Sequence, residues 1–239
     1  MPLAPCAAPL IRGDATAGPV RQGGLDAARR MRPHCAMTLP ALESLIRTRA
    51  AHTPRLVVAL AGAPGAGKST LAEALATRLG PLAAVMPMDG YHLDNAVLDA
   101  RGLRARKGAP ETFDVAGFTR DLARLRARTE PEVLVPVFDR AADLSRAAAR
   151  AIGADVPVIL AEGNYLLLDE LPWSALAGLF DLTVFLDVPE PVLESRLVQR
   201  WLDHGLPPDL ARNRAMGNDI PNARRVVRGS RAADMVLRL

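Results

Sequence analysis

Between the apolar run Leu56–Ala61 and the amphipathic run Leu71–Leu79 stand Gly62, Ala63, Pro64, Gly65, Ala66, Gly67, Lys68, Ser69 and Thr70. The glycines permit backbone dihedrals closed to other residues and let amide N–H groups approach a ligand's oxygens. The spacing G-x-x-x-x-G-K-[ST] sets a lysine and a hydroxyl where a helix should begin and present its positive dipole end. Amides, an ammonium and a hydroxyl in that order suit a nucleoside triphosphate. Lys68 can reach the β- and γ-phosphates, and Ser69 can ligate Mg2+. A guanine-reading N-K-x-D element cannot exist with lysines only at 68 and 107, and no L-S-G-G-Q-like stretch is present. ATP and Mg2+ are therefore the expected cofactors.

Two carboxylates close apolar runs and abut glycine: Asp89 in "MDGYHLDN" and Glu162 in "AEGN". In open α/β sheets ligands sit at the carboxyl ends of strands. One of the pair can accept or orient an acceptor hydroxyl's proton, and the other can hold Mg2+ or its waters. Arg196 and Arg200 are four apart and share a helical face, so both can neutralise charge on a transferred phosphoryl group. Tyr91, His92, Arg101, Lys107 and Arg140 are the candidates to contact an acceptor. Asp187, before a Pro-led helix, reads as a capping residue.

The elements that must position these groups alternate between buried strands and amphipathic helices. Strands are expected at 55–61, 83–89, 131–140, 155–163, 181–188 and 233–239, and helices near 69–79, 115–127, 189–205 and 208–216. A polar, glycine-containing stretch spans 90–114. This alternation predicts a mostly parallel sheet covered on both faces. One domain over 38–239 is expected.

With 239 residues the chain is long enough for one large α/β domain, and only 4% of it is aromatic. No apolar run approaches the roughly 20 residues of a membrane span, and no secretory core is evident near the N-terminus, so a cytoplasmic protein is expected. The net charge of +4 invites a nucleic-acid reading, but residues 1–37 carry five Arg and two Asp, leaving only +1 for the rest. No nucleic-acid or membrane partner is expected, and a homodimer is the one assembly entertained. Residues 1–37, rich in Pro, Gly, Ala and Arg, are expected to be a disordered tail, and Cys6 and Cys35 are given no role. Only two of the 30 basic residues are lysine, which marks Lys68 and Lys107 as places where a compact ammonium matters.

Together "GAPGAGKST", "MDGYHLDN", "RGLRARKGAPETFD", "VPVFDR", "ILAEGNYLLL" and "ESRLVQRW" resemble the uridine kinase, phosphoribulokinase and type I pantothenate kinase group. Within it, the similarity is nearest to bacterial fructose-transport-system kinases and nucleoside/nucleotide kinase family proteins. The resemblance runs from Leu56 to the C-terminus. It implies a P-loop NTPase three-layer sandwich with a small helical lid around 196–216. It also implies Asp89 as catalytic base, Glu162 beside Mg2+, lid arginines at 196 and 200, and 218–226 as an adenine-side wall. The implied activity is transfer of the γ-phosphoryl group of ATP to a hydroxyl of a small polar metabolite: a sugar such as fructose, a nucleoside, or a pantothenate-like alcohol. The stretch 101–114 is closer to pantothenate kinases, yet their long C-terminal extension is missing. The alternative is a nucleotide-dependent regulatory ATPase with no small-molecule acceptor.

Overall fold

Residues 56–62, LVVALAG, are every one buried, which a strand can achieve only inside a sheet covered on both faces. A computed structural model describes residues 38–238; the expected tail and both cysteines lie outside the described residues. The order begins α1 (Leu39–Ala50), β1 (Leu56–Gly62), α2 (Lys68–Leu79), β2 (Ala83–Pro87), α3 (Asn95–Ala100) and α4 (Val115–Ala127). It continues β3 (Glu132–Asp139), β4 (Leu144–Gly153), β5 (Val158–Gly163) and β6 (Leu182–Asp187). It ends α5 (Glu190–Asp203), α6 (Pro208–Arg214), a π-helical turn over Ala215–Asp219, α7 (Ile220–Gly229) and β7 (Met235–Arg238). No helix among the described residues is long and apolar enough to cross a membrane.

Five strands form one sheet in the order β2-β5-β1-β6-β7, all neighbours parallel. Strand periodicity sorts β1 between two cores. Val57, Ala59 and Ala61 join Phe118, Leu122 and Leu125 of α4 on one face. Leu56, Val58 and Leu60 join Leu42, Leu75, Leu193 and Leu197 of α1, α2 and α5 on the other. The result is helix, sheet, helix: the expected three layers. Register brings the chemistry to one edge. Glu162 pairs with Leu60 of β1 and Pro87 of β2, so the loop from Gly62 and the turn carrying Asp89 leave the sheet beside it.

The antiparallel β3–β4 hairpin stands apart from this sheet. The sequence reading anticipated β3 but not β4. LSRAAARAIG is rich in good helix formers, and only pairing with β3 makes it a strand. The hairpin lies directly on the short 3₁₀ turn Met88–Tyr91. A Cβ on Gly90 would come within 2.3 Å of the Pro136 carbonyl oxygen, so this approach requires glycine. The 90–114 stretch is not featureless: it contains α3 and two further 3₁₀ turns. Asp187 does not cap α5, whose N-cap is Pro189 with no side-chain bond; it ends β6, 3.9 Å from Arg238.

Candidate active site

The loop after β1 takes left-handed dihedrals at Gly65 (φ 78°) and Gly67 (φ 93°), where an L side chain would be strained. Gly67 is also the N-cap of α2 and offers no side chain, so the helix's first amides are left for another acceptor. Lys68 is buried, and its Nζ donates to the Ala63 carbonyl at 2.9 Å. Burial lowers its pKa to about 8, with the Arg200 and Arg140 charges acting the same way, against the stabilising carboxylates of Glu162 and Asp89. A desolvated ammonium folded onto its own loop is suited to a stronger anionic partner.

Glu162 is 6% exposed. Burial first, then the neighbouring Asp89 charge, push its pKa up to about 7, while Lys68, a hydrogen bond from Ser69 and Arg140 oppose the rise. A hydroxyl bonded to a buried carboxylate is an oxygen donor set that fits Mg2+, which favours one or two protein ligands completed by phosphate oxygens and water. Among the described residues no group of three or more His, Cys, Asp or Glu could hold a metal unaided.

Asp89 sits on the 3₁₀ turn, its Oδ2 3.3 Å from an Arg140 nitrogen. Two cavities meet there. One of about 360 Å³ is lined by Ser69, Glu162, Pro87 and Arg150; the other, of about 380 Å³, by Pro64, His92, Lys107, Arg200 and Trp201. Asp89, Phe138 and Arg140 line both. Asp89 therefore stands where the two meet, between a cavity bordered by Ser69 and Glu162 and one bordered by Lys107 and Arg200.

The structure brings some expected acceptor residues to that compartment and leaves others out. His92 packs between Phe113 (4.1 Å) and Phe138 (4.6 Å). Its Nδ1 lies 2.7 Å from the Asp89 carbonyl oxygen, so Nδ1 carries the proton. Burial lowers its pKa, and the neutral ring keeps Nε2 as an acceptor. Lys107 lines the larger cavity but is committed to Asn95 Oδ1 (2.7 Å) and to Asp143 through its carbonyl (2.6 Å) and Oδ1 (2.9 Å), tying α3 to the hairpin turn. Tyr91 lies outside both cavities: its ring packs edge-on to Phe118 at 5.1 Å, and its hydroxyl donates to Asp121 at 2.9 Å. Arg101 is the exposed C-cap of α3 and lines neither cavity; Arg104, which opens the following 3₁₀ turn, lines the larger one instead.

On α5, Arg196 donates to the Gly65 carbonyl at 3.3 Å, touching the loop without lining either cavity. Arg200 lines the larger cavity, paired with Asp219 at 3.3 Å and lying 5.3 Å over Trp201. Asp219 also accepts from Trp201 Nε1 at 2.6 Å. The 218–226 segment closes the π turn and opens α7, and Asn218 donates to the Lys107 carbonyl at 3.0 Å; it is joined to the acceptor-side loop. Sequence reasoning missed Phe138, Asn164, Trp201 and Arg214 as cavity residues, whereas Asp219 falls within the 218–226 wall. Trp201, one of only two tryptophans, was the one visible signal.

A parallel sheet with a glycine-rich phosphate loop between β1 and α2, and carboxylates at the adjoining strand ends, defines a P-loop kinase. No family model matches the chain. It is 38% identical over 190 residues to "Uncharacterized protein YggC" of Escherichia coli, covering 77% of this chain and 78% of that one. It is 34% identical over 197 residues to "Putative uridine kinase C227.14" of Schizosaccharomyces pombe, covering 78% and 84%. The crystal structure of a "putative fructose transport system kinase" from Silicibacter sp. TM1040 is similar at 48% identity and TM-score 0.79, over 84% of this chain and 98% of that one. The chain belongs to the uridine kinase-like P-loop kinases. It is a small-molecule kinase.

Proposed function

We propose that the protein is an ATP- and Mg2+-dependent kinase that transfers the γ-phosphoryl group to a hydroxyl of a small polar metabolite, with Asp89 as the base. The observation that carries this reading is the position of Asp89 in the wall common to the two cavities. Mg2+·ATP, when bound, supplies the transferable group and part of the charge neutralisation. Lys68 and the backbone N–H groups of the 62–70 loop, Pro64 excepted, would hold the phosphates, and Ser69 with Glu162 would hold the metal. Asp89 takes the acceptor's hydroxyl proton, and Arg140, 3.3 Å from that carboxylate, aims it. Arg196 and Arg200 counter charge spreading over the phosphoryl oxygens, and closure of the 196–216 lid excludes water. A sugar such as fructose, a nucleoside and a pantothenate-like alcohol are the acceptors to test.

The test is ADP release measured across such acceptors in wild type and Asp89→Asn. Asn keeps the side chain's shape and removes the proton acceptor, so turnover should fall roughly 10²- to 10⁴-fold while ATP binding persists. Near-normal turnover in that variant excludes Asp89 as base. ADP release that no acceptor stimulates favours a regulatory ATPase.

A further inference from the structure

Cations outnumber carboxylates on the wall of the larger cavity. Five cations line it, Arg104, Lys107, Arg140, Arg200 and Arg214, against three carboxylates. Four of the five are already paired. Arg140 meets Asp89 at 3.3 Å, Lys107 meets Asp143 at 2.9 Å, Arg200 meets Asp219 at 3.3 Å and Arg104 meets Asp99 at 3.2 Å. Arg214 has no carboxylate partner among the described residues. Its guanidinium lies 5.3 Å over the Trp201 ring and spends one donor on the Ala105 carbonyl at 3.1 Å. A guanidinium has five N–H donors in a rigid fork, and stacking on an aromatic face fixes the plane of that fork. A half-buried, oriented, unneutralised fork on a cavity wall matches a carboxylate or phosphate bound through two oxygens.

The wall of the same cavity also carries other chemistry. Neutral His92 offers Nε2 as an acceptor there, close to the Asp89 carboxylate. Both groups favour a hydroxyl's donor and disfavour an anion. One cavity therefore holds both hydroxyl-binding acceptors, His92 and Asp89, and a cation without a carboxylate partner, Arg214.

Resting on the kinase reading above, we propose that the acceptor is an anionic hydroxylated metabolite, with its carboxylate or phosphate monoester held by Arg214 and its reacting hydroxyl at Asp89. The test has two arms. ADP release is measured with matched pairs differing only in the anion: glycerol and glycerate, pantothenol and pantothenate, ribose and ribose phosphate. Only the anionic member of a pair should be turned over, and whether glycerate, pantothenate or ribose phosphate responds separates a carboxylate from a phosphate. Arg214→Gln, which keeps a donor for the Ala105 carbonyl, should raise KM for that member about 10- to 100-fold with little change in kcat. Arg214→Lys, with the charge but not the fork, should recover only part of the loss.

The second arm needs no acceptor. The phosphate loop is saturated with a non-hydrolysable ATP analogue, whose unchanged affinity in the variants shows that they fold. Inorganic phosphate is then titrated while tryptophan fluorescence is read, and glycerol serves as the neutral probe. Phosphate alone should change the signal, and Arg214→Gln should weaken that response. Efficient turnover of the neutral members overturns the anion inference and leaves the kinase reading intact. A phosphate response that is flat, or identical in Arg214→Gln, also overturns it. An Arg214-dependent phosphate response with no acceptor-stimulated ADP release upholds the anion site and rules out these three anions as acceptors.

Discussion

Glu162 gives the sharpest test of the site's energetics, because a buried carboxylate with a raised pKa must cost stability when ionised. Its pKa is pushed from 4.5 in an open environment to about 7 in the fold. Below pH 4.5 the group is protonated in both folded and unfolded chains, and stability is fully present. As the pH rises the unfolded chain gives up its proton first, so folding becomes less favourable until the folded carboxyl also ionises near pH 7. At 1.4 kcal/mol per pKa unit, the full loss is about 3 kcal/mol, about three quarters of it between about pH 5 and pH 8. Glu162→Gln keeps the size and the hydrogen-bonding capacity but has no proton to lose. Urea denaturation with EDTA present, at about pH 5 and pH 8, should show the wild type losing about 2–3 kcal/mol more than Glu162→Gln over that interval. The difference between the two proteins cancels the other titrating groups. Parallel pH dependence would show that Glu162 is solvated or already neutralised, and the argument for it as a metal-seeking carboxylate fails. A linked result is calorimetric: Mg2+·nucleotide binding near pH 6.5 should release a proton from wild type and not from Glu162→Gln.

Nucleotide affinity should fall as the pH rises through about 8, because burial holds the Lys68 pKa there and phosphate binding requires its charged form. Lys68→Ala should bind more weakly and show no such limb in a titration against a fluorescent ATP analogue. Gly90→Ala should destabilise the fold by about 1–3 kcal/mol and reduce turnover, since its Cβ would come within 2.3 Å of the Pro136 carbonyl and push the hairpin bearing Arg140 from Asp89; an unchanged melting curve would contradict that packing. Arg140→Ala should cost at most about 1 kcal/mol of stability, the guanidinium of its pair with Asp89 being solvent-exposed, while clearly lowering turnover. Equal loss in both assays would make the pair structural.

How far the sequence could be read depended on how local each cause was. The phosphate loop was legible because its conformation follows from its own residues: Gly65 and Gly67 take dihedrals that an L side chain resists, whatever surrounds them. Asp89 and Glu162 were legible because each ends a strongly apolar run at a glycine, and parallel strands deliver such ends to one edge. Tyr91 and Arg101 were assigned to the acceptor side on proximity in sequence alone, but in an irregular stretch a side chain's direction follows what packs on it. Phe118 and Asp121 draw Tyr91 into the core, and the end of α3 leaves Arg101 in solvent while Arg104 reaches the cavity.

The sequence by itself determined the parallel sheet, the triphosphate-binding loop and the two strand-end carboxylates, since burial periodicity and glycine dihedrals act over a few neighbouring residues. Tertiary structure alone decided the second compartment. LSRAAARAIG becomes a strand only by pairing with β3, and that hairpin sets Phe138 and Arg140 beside Asp89. Arg200, Trp201, Arg214 and Asp219 meet only when α5, α6 and the π turn fold together. Which cations are neutralised and which is left for a ligand depends on those long-range pairings, and spacing along the chain does not encode them.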